Sequence, residues 1–262
     1  MRGDTPENRG RNAALDIETA EITRTGNRRN NQDRHTVMIG DRAVLLGVAD
    51  GMGGHSDGAG AAEAATRAWA AAFRSSRNVI AAPVQFLQDS MQRAHLKVVE
   101  MARGQGLEHA PRTTGVMALI HSGSVRWIHA GDSRAYLLRD GEILKRSRDH
   151  SVVEELVRRG QISEDEARRH PMRHYVETCL GGDDNTPGFR LRRRMRLLPG
   201  DIVLLCSDGF WGPLDMDAAA QRLFGQPDLQ QCLEDLAGEA EQAAAPRSDN
   251  ITAVALRWGT EH

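Results

Sequence analysis

The stretch Val44-Leu-Leu-Gly-Val-Ala-Asp-Gly-Met-Gly-Gly54 decides how the rest of the chain is read. It is an apolar run of strand length that stops at an aspartate and turns on glycine. The same arrangement returns twice, as Trp127-Ile-His-Ala-Gly-Asp132 and as Ile202-Val-Leu-Leu-Cys-Ser-Asp208-Gly. Asp33 and Asp249 instead stand just ahead of strand-like segments. Aspartates at strand ends can converge on one rim of a sheet or sandwich, and glycine beside them admits backbone or a ligand at close range. Taken singly, an Asp-Gly pair is also an ordinary turn signal. Several carboxylates packed together are unfavourable unless a cation compensates them. Oxygen donors without Cys or His favour Mg²⁺ or Mn²⁺ over zinc. Two such ions ~3.5–4 Å apart would activate a water for in-line attack on phosphorus.

Composition narrows the classes. The chain has 262 residues, with 34 basic and 36 acidic side chains, so it lacks the basic excess of a bulk nucleic-acid binder. Lys97 and Lys145 are its only lysines, and neither follows a glycine-rich turn, which excludes a P-loop. Cys179, Cys206 and Cys232 are too far apart for a zinc site or a disulfide framework, and Cys206 reads as a small core residue. The N-terminal residues do not read as a signal peptide, and no run reaches about 18 apolar residues. The expectation is a cytoplasmic protein with no membrane insertion.

Residues 1–17 read as a flexible polar tail and residues 18–262 as one domain. Strand patterns fall at Glu21–Thr25, His35–Ile39, Ala43–Ala49, Gly115–His121, Ser124–Ala130, Ala135–Arg139, Phe189–Leu197, Asp201–Cys206 and Ile251–Trp258. Helices are expected at Gly58–Arg74 and at Pro83–Met101, whose apolar residues recur at three- and four-residue steps. Capping boxes at Ser151–Glu154 and Ser163–Glu166 start two more, and Asp228 caps a final long one. The order lacks βαβ alternation, so an α+β arrangement of antiparallel sheets with segregated helices is expected. Residues of about 160–185 read as an exposed, mobile insertion.

The segments GVADGMGGH, TTGVMALI, HAGDSRAYLLRDGE, DHS, CSDGFW and SDNITAV, in this order, resemble the bacterial form of the PP2C (PPM) metal-dependent Ser/Thr protein phosphatases, over roughly residues 20–258. The resemblance implies a four-layer αββα sandwich, with two central antiparallel sheets flanked by helices. It implies hydrolysis of phosphoserine and phosphothreonine on proteins by a metal-bridged hydroxide between two Mn²⁺ or Mg²⁺ ions, opposing a Ser/Thr kinase. Residue by residue, it implies that Asp50 bridges both metals and Gly51 offers its carbonyl to one. Asp208 and Asp249 complete the other, and Asp33 lies beside the first as a ligand or through a water. Asp132 would help hold a third, weaker ion. Arg28 would grip the substrate phosphate, a role suited to its planar fork. The segment around 150–185 would be the flap beside the cleft.

Two positions depart from the family pattern. Gln32 stands where many members carry glutamate, so no charge is available there. Met52 stands where eukaryotic members carry the histidine thought to protonate the leaving group. His55 is the candidate substitute, against a role in ordering the glycine turn, and a metal-bound water is the other donor. His170 and His174 are four apart but lack the HExxH context, and Thr114 and Ser133 read as structural hydroxyls near the site. The arginine run Arg192–Arg194 reads as a solvated strand face. The expected partners are phosphoproteins and a cognate kinase, with the chain a monomer. The alternatives are a catalytically inactive phosphatase fold used as a binding module and a phosphatase of an anti-sigma-antagonist phosphoserine. General kinase signalling and type VI secretion regulation both remain open as contexts.

Overall fold

The computed structural model describes residues 11–12, 15–52, 57–76, 80–102, 109–172, 175–183 and 185–259. Two antiparallel sheets lie face to face between two helical layers. The first sheet contains β1 (Arg11–Asn12), β2 (Ile17–Arg24), β8 (Arg134–Arg139), β9 (Glu142–Arg146), β12 (Ile202–Cys206) and β13 (Ile251–Trp258). Its order is β1-β2-β13-β12-β8-β9. The second contains β3 (Asp33–Ile39), β4 (Ala43–Met52), β5 (Arg112–Thr113), β6 (Gly115–His121), β7 (Ser124–Ala130), β10 (Leu180–Gly181) and β11 (Arg190–Arg196). Its order is β10-β5-β4-β6-β7-β11, with β3 paired to β4. This is the expected four-layer sandwich.

The layers follow from alternation along strands that are apolar on both faces. In β4, Val44, Leu46 and Val48 point into the core between the sheets. Ala43, Leu45 and Ala49 point outward, under α1 (Gly58–Ser75) and α2 (Pro83–Met101). In β12, Val203 and Leu205 face the central core. Ile202, Leu204 and Cys206 face the opposite layer of α5 (Asp208–Trp211), α6 (Met216–Gly225) and α7 (Leu229–Ala244). The alanine-rich face of α1 lets that helix sit close to the sheet. Gly47 is required there, since a Cβ on it would come within 2.8 Å of the Trp69 ring. Burying a large side chain such as Trp69 or Leu45 contributes roughly 1.5–3 kcal/mol.

Several boundaries differ from the expectations. The expected tail at 1–17 takes in ordered residues: Arg11–Asn12 pairs with β2, and Ile17 is buried in the central core. β9 was not foreseen because its burial follows no two-residue alternation; it pairs with β8 across a register shift. At the first expected capping box, Ser151 does accept from the Glu154 N–H and starts α3 (Val152–Arg158). The Glu154 carboxylate, however, accepts from Arg146 Nη1, 3.3 Å away. The second box closes in both directions at α4 (Glu164–Arg169). The insertion is not exposed throughout, because Leu180 is fully buried and β10 joins the second sheet through β5. His174 lies outside the described residues. Among the described residues, no helix is long and apolar enough to cross a membrane.

Candidate active site

Strand direction gathers the five aspartates at one end of the sandwich. Asp33 opens β3 and is the register partner of Asp50 near the end of β4. β6 starts where β4 ends and β7 ends where β6 starts, so Asp132, in the turn after β7, shares that end. In the other sheet, β12 ends opposite the starts of β8 and β13. Asp208 directly follows β12 as the first residue of α5, and Asp249 shortly precedes β13. The antiparallel rule explains why aspartates before strands and after strands meet: one strand's end is its neighbour's beginning.

Backbone bonds hold the rim rigid. The Asp50 carbonyl accepts from Thr114 N–H and Thr113 Oγ1, both 2.8 Å away. The Asp50 N–H donates to Thr114 Oγ1 at 3.1 Å. Thr114 and Ser133 share a buried hydroxyl contact of 2.7 Å, which ties the Asp50 strand to the turn carrying Asp132. Ser207 Oγ donates to Asp33 Oδ2 at 2.7 Å and so joins the two sheets. At Gly51 a side chain is impossible, because a Cβ would collide with the Gly58 carbonyl at the start of α1. Gln32 supplies packing instead of charge: its carbonyl accepts from Gly51 N–H at 3.2 Å and its side-chain amide lies against Gly58.

The carboxylates strain one another electrostatically. Burial, and then the charges of Asp208 and Asp249, push Asp33 up to about 7 despite its bond from Ser207. Burial pushes Asp50 well above the carboxylate range, reinforced by Asp33, Asp208, Asp132 and Asp249. Asp132, 8 % exposed, is raised well above that range by burial and then by Asp208 and Asp149. Asp33 Oδ1 is buried with no hydrogen-bond partner among the described residues. Asp249 is the compensated member: its Oδ2 accepts from Arg28 Nη2 at 2.7 Å. That bond, with further attraction from Asp208 and Asp50, raises the Arg28 pKa.

Among the described residues, no group of three or more His, Cys, Asp or Glu side chains is drawn into a ready metal shell. Like charges keep apart here, with Asp33 turned to Ser207 and Asp249 to Arg28. The donor set still fits a hard divalent ion. It is all oxygen, one buried carboxylate oxygen is unpartnered, and the raised pKa values mark a deficit of positive charge. His55 lies outside the described residues.

The sequence did not single out the residues that fasten the arginine loop. Asn250 accepts from Gln32 N–H at 2.8 Å and donates to the carbonyls of Thr25 at 2.8 Å and Asn30 at 3.0 Å. It thereby brackets Arg28 from both sides. The signal lay in the Ser-Asp-Asn triplet, where the asparagine stands directly beside the aspartate.

The sequence matches the family described as Protein phosphatase 2C over residues 23–249. It is 32% identical over 244 residues to the serine/threonine protein phosphatase PstP of Mycobacterium tuberculosis, covering 87% of this chain and 42% of that protein. The chain thus spans less than half the length of that relative. Among solved structures, the PPM Ser-Thr phosphatase MsPP of Mycobacterium smegmatis, in complex with cacodylate, superposes with a TM-score of 0.78 at 31% identity. That match covers 92% of this chain and 98% of the other. The catalytic domain of PstP in complex with two manganese ions superposes with a TM-score of 0.76 at 28% identity, covering 92% and 97%.

Proposed function

The chain belongs to the protein phosphatase 2C family, and from this premise we propose that it hydrolyses phosphoserine and phosphothreonine on proteins, using two divalent ions held at the aspartate rim. The observation that carries the proposal is the gathering of Asp33, Asp50, Asp132 and Asp208 at one end of the sandwich, buried or half-buried and short of positive charge. When bound, Mn²⁺ or Mg²⁺ would supply a water of lowered pKa and neutralise charge on the phosphate.

The chain's own residues then have distinct tasks. Asp50 and the Gly51 carbonyl, with Asp208, Asp249 and Asp33, would hold the two ions, and Asp132 would contribute to a weaker third place. Arg28 exchanges its bond to Asp249 for two oxygens of the substrate phosphate. The exchange keeps the guanidinium paired at every stage, and Asn250 keeps its loop from drifting. Asp249 would offer the cation site a carboxylate that Arg28 holds in place. Met52 cannot transfer a proton, so leaving-group protonation falls to His55 or to water. The residues from about 150 to 185 form a flap that biases peptide choice. We place the enzyme in the cytoplasm, as a monomer opposing a Ser/Thr kinase.

The test is phosphate release from p-nitrophenyl phosphate and from a phosphothreonine peptide. Mn²⁺ should be required and EDTA should abolish turnover. Full activity in EDTA would refute the metal-dependent reading. Undetectable hydrolysis with Mn²⁺ bound would favour the binding-module alternative.

A further inference from the structure

A buried polar network runs from the Asp132 turn into the base of the 150–188 segment. The Arg134 guanidinium lies over the Trp211 ring, 3.3 Å from its centroid. The Trp211 indole N–H donates to the Asp132 carbonyl at 3.0 Å. The other edge of Arg134 makes a two-pronged pair with Asp149, Nε to Oδ1 at 2.9 Å and Nη2 to Oδ2 at 2.8 Å. Next in sequence, the His150 ring spans two segments. Its Nδ1 accepts from Gly131 N–H at 3.2 Å, which leaves the proton on Nε2 to be donated to the Gly188 carbonyl at 3.1 Å. The His150 carbonyl accepts from Glu177 N–H at 2.8 Å, and Ser151 both caps α3 and bridges to Val176. Arg190 Nη1 closes the far side on the Asp149 carbonyl at 2.8 Å.

We infer that Arg134 and Trp211 are positioning residues that couple the posture of the 150–188 segment to the backbone of Asp132 and, through α5, to Asp208. Geometry supplies the reason. Trp211 ends the short helix that Asp208 begins, so one indole is bonded to the Asp132 turn while riding on the Asp208 element. Arg134 is held between that indole and Asp149, so a displacement of the flap base must tilt the guanidinium off the ring or break the fork. A fork-and-stack contact tolerates little of either. Surface pairs elsewhere in the segment, such as Arg158 and Arg159 with Glu155, are local to one helix and transmit nothing across it.

The coupling stands apart from the phosphatase reading, whereas its consequence for peptide choice rests on it. Two arms separate the failures. In the first, hydrogen exchange is followed in the metal-free full chain. Trp211→Phe keeps an aromatic face for Arg134 but removes the donor to Asp132. It should speed exchange at Glu177, whose N–H is bonded to His150 and not to Trp211, about tenfold, with amides of β4 and α7 unchanged. Arg134→Lys, which cannot form the fork, should do the same at Glu177 and at Gly131 together. Faster exchange confined to Trp211's immediate neighbours, or spread evenly over the chain, would overturn the coupling and leave a merely structural role. In the second arm, Trp211→Phe should lower kcat/KM for a phosphothreonine peptide about tenfold more than for p-nitrophenyl phosphate. An equal loss on both substrates would overturn the link to peptide choice. A wild-type chain without activity would refute the phosphatase reading while the exchange arm still decides the coupling.

Discussion

Two groups of buried acids in this molecule have opposite fates. Away from the rim, Asp201 accepts a two-pronged pair from Arg139 at 2.7 and 2.8 Å and a third bond from Leu198 N–H at 2.8 Å. Glu18 likewise accepts from Arg257 Nη1 at 2.6 Å and from Leu229 N–H at 3.1 Å. At the rim, Asp33, Asp50 and Asp132 make no ion pair with an arginine among the described residues: Asp33 is bonded by the Ser207 hydroxyl, Asp132 feels Arg134 only at a distance, and the other charges acting on the three are carboxylates. The arginine that is close, Arg28, sits at the exposed lip on Asp249. In a chain with 34 basic side chains, such a deficit is not a shortage of supply. A buried acid that is fully partnered fastens the fold, whereas one left unpartnered among its like is kept for a charge that arrives from outside.

The comparison breaks most visibly under neutralisation. Asp50→Asn should lower Mn²⁺-dependent phosphopeptide hydrolysis by about a thousandfold. It should not lower the melting temperature of the metal-free protein, because a repelled charge has been removed. A variant that lost stability and kept activity would reverse the assignment. The mirror change, Asp201→Asn, should reduce stability by about 1.5 kcal/mol in chemical denaturation, by weakening the charged hydrogen bonds that Asp201 accepts from Arg139 and Leu198. Its kcat and KM should match the wild type.

Acidity separates the groups next. The folded protein keeps Asp33 protonated up to about pH 7, whereas its ordinary pKa is 3.8. Between those values the folded state binds more protons than the unfolded chain. Its contribution is therefore complete below ~pH 4 and is lost as pH rises through ~7. Melting of the metal-free protein should decline across that window, and saturating Mn²⁺ should flatten the decline. A metal-free stability that increased from pH 4 to 7 would contradict the raised pKa. The smallest effect belongs to the lip: Arg28→Lys should lower kcat/KM about tenfold, mostly through KM, since lysine keeps the charge and loses the fork. A pure kcat loss would mean that Arg28 acts in the chemical step rather than in holding the phosphate.

Much of the fold was legible in the sequence, because strands buried on both faces leave long apolar runs and α2 shows a clean helical period. Helix α2 and strands β6, β7 and β13 have the bounds expected from those runs. Strands β1, β5 and β10 are two residues each and carry no period, and β9 packs irregularly, so none could be read. Asp50, Asp132 and Asp208 were legible from the repeated strand-then-aspartate pattern with glycine beside it, whereas Asp33 and Asp249, which stand ahead of strands, took their roles from the family resemblance. Their supports were not legible. The bonds from Ser207 to Asp33 and from Gln32 to Asn250 join residues 174 and 218 positions apart, and such pairs exist only once both sheets are in place. Arg134 and Trp211 likewise looked like parts of motifs, and their stacking appears only when α5 lies beside the Asp132 turn.

The central claim is that the rim, and not the partnered acids, is built for cations. Calorimetric titration of Mn²⁺ into the metal-free wild type, Asp50→Asn and Asp201→Asn tests it most directly. Wild type and Asp201→Asn should bind Mn²⁺ with the same stoichiometry and affinity, whereas Asp50→Asn should lose the tight sites. Unchanged binding in Asp50→Asn, or binding lost in Asp201→Asn alone, would contradict the account.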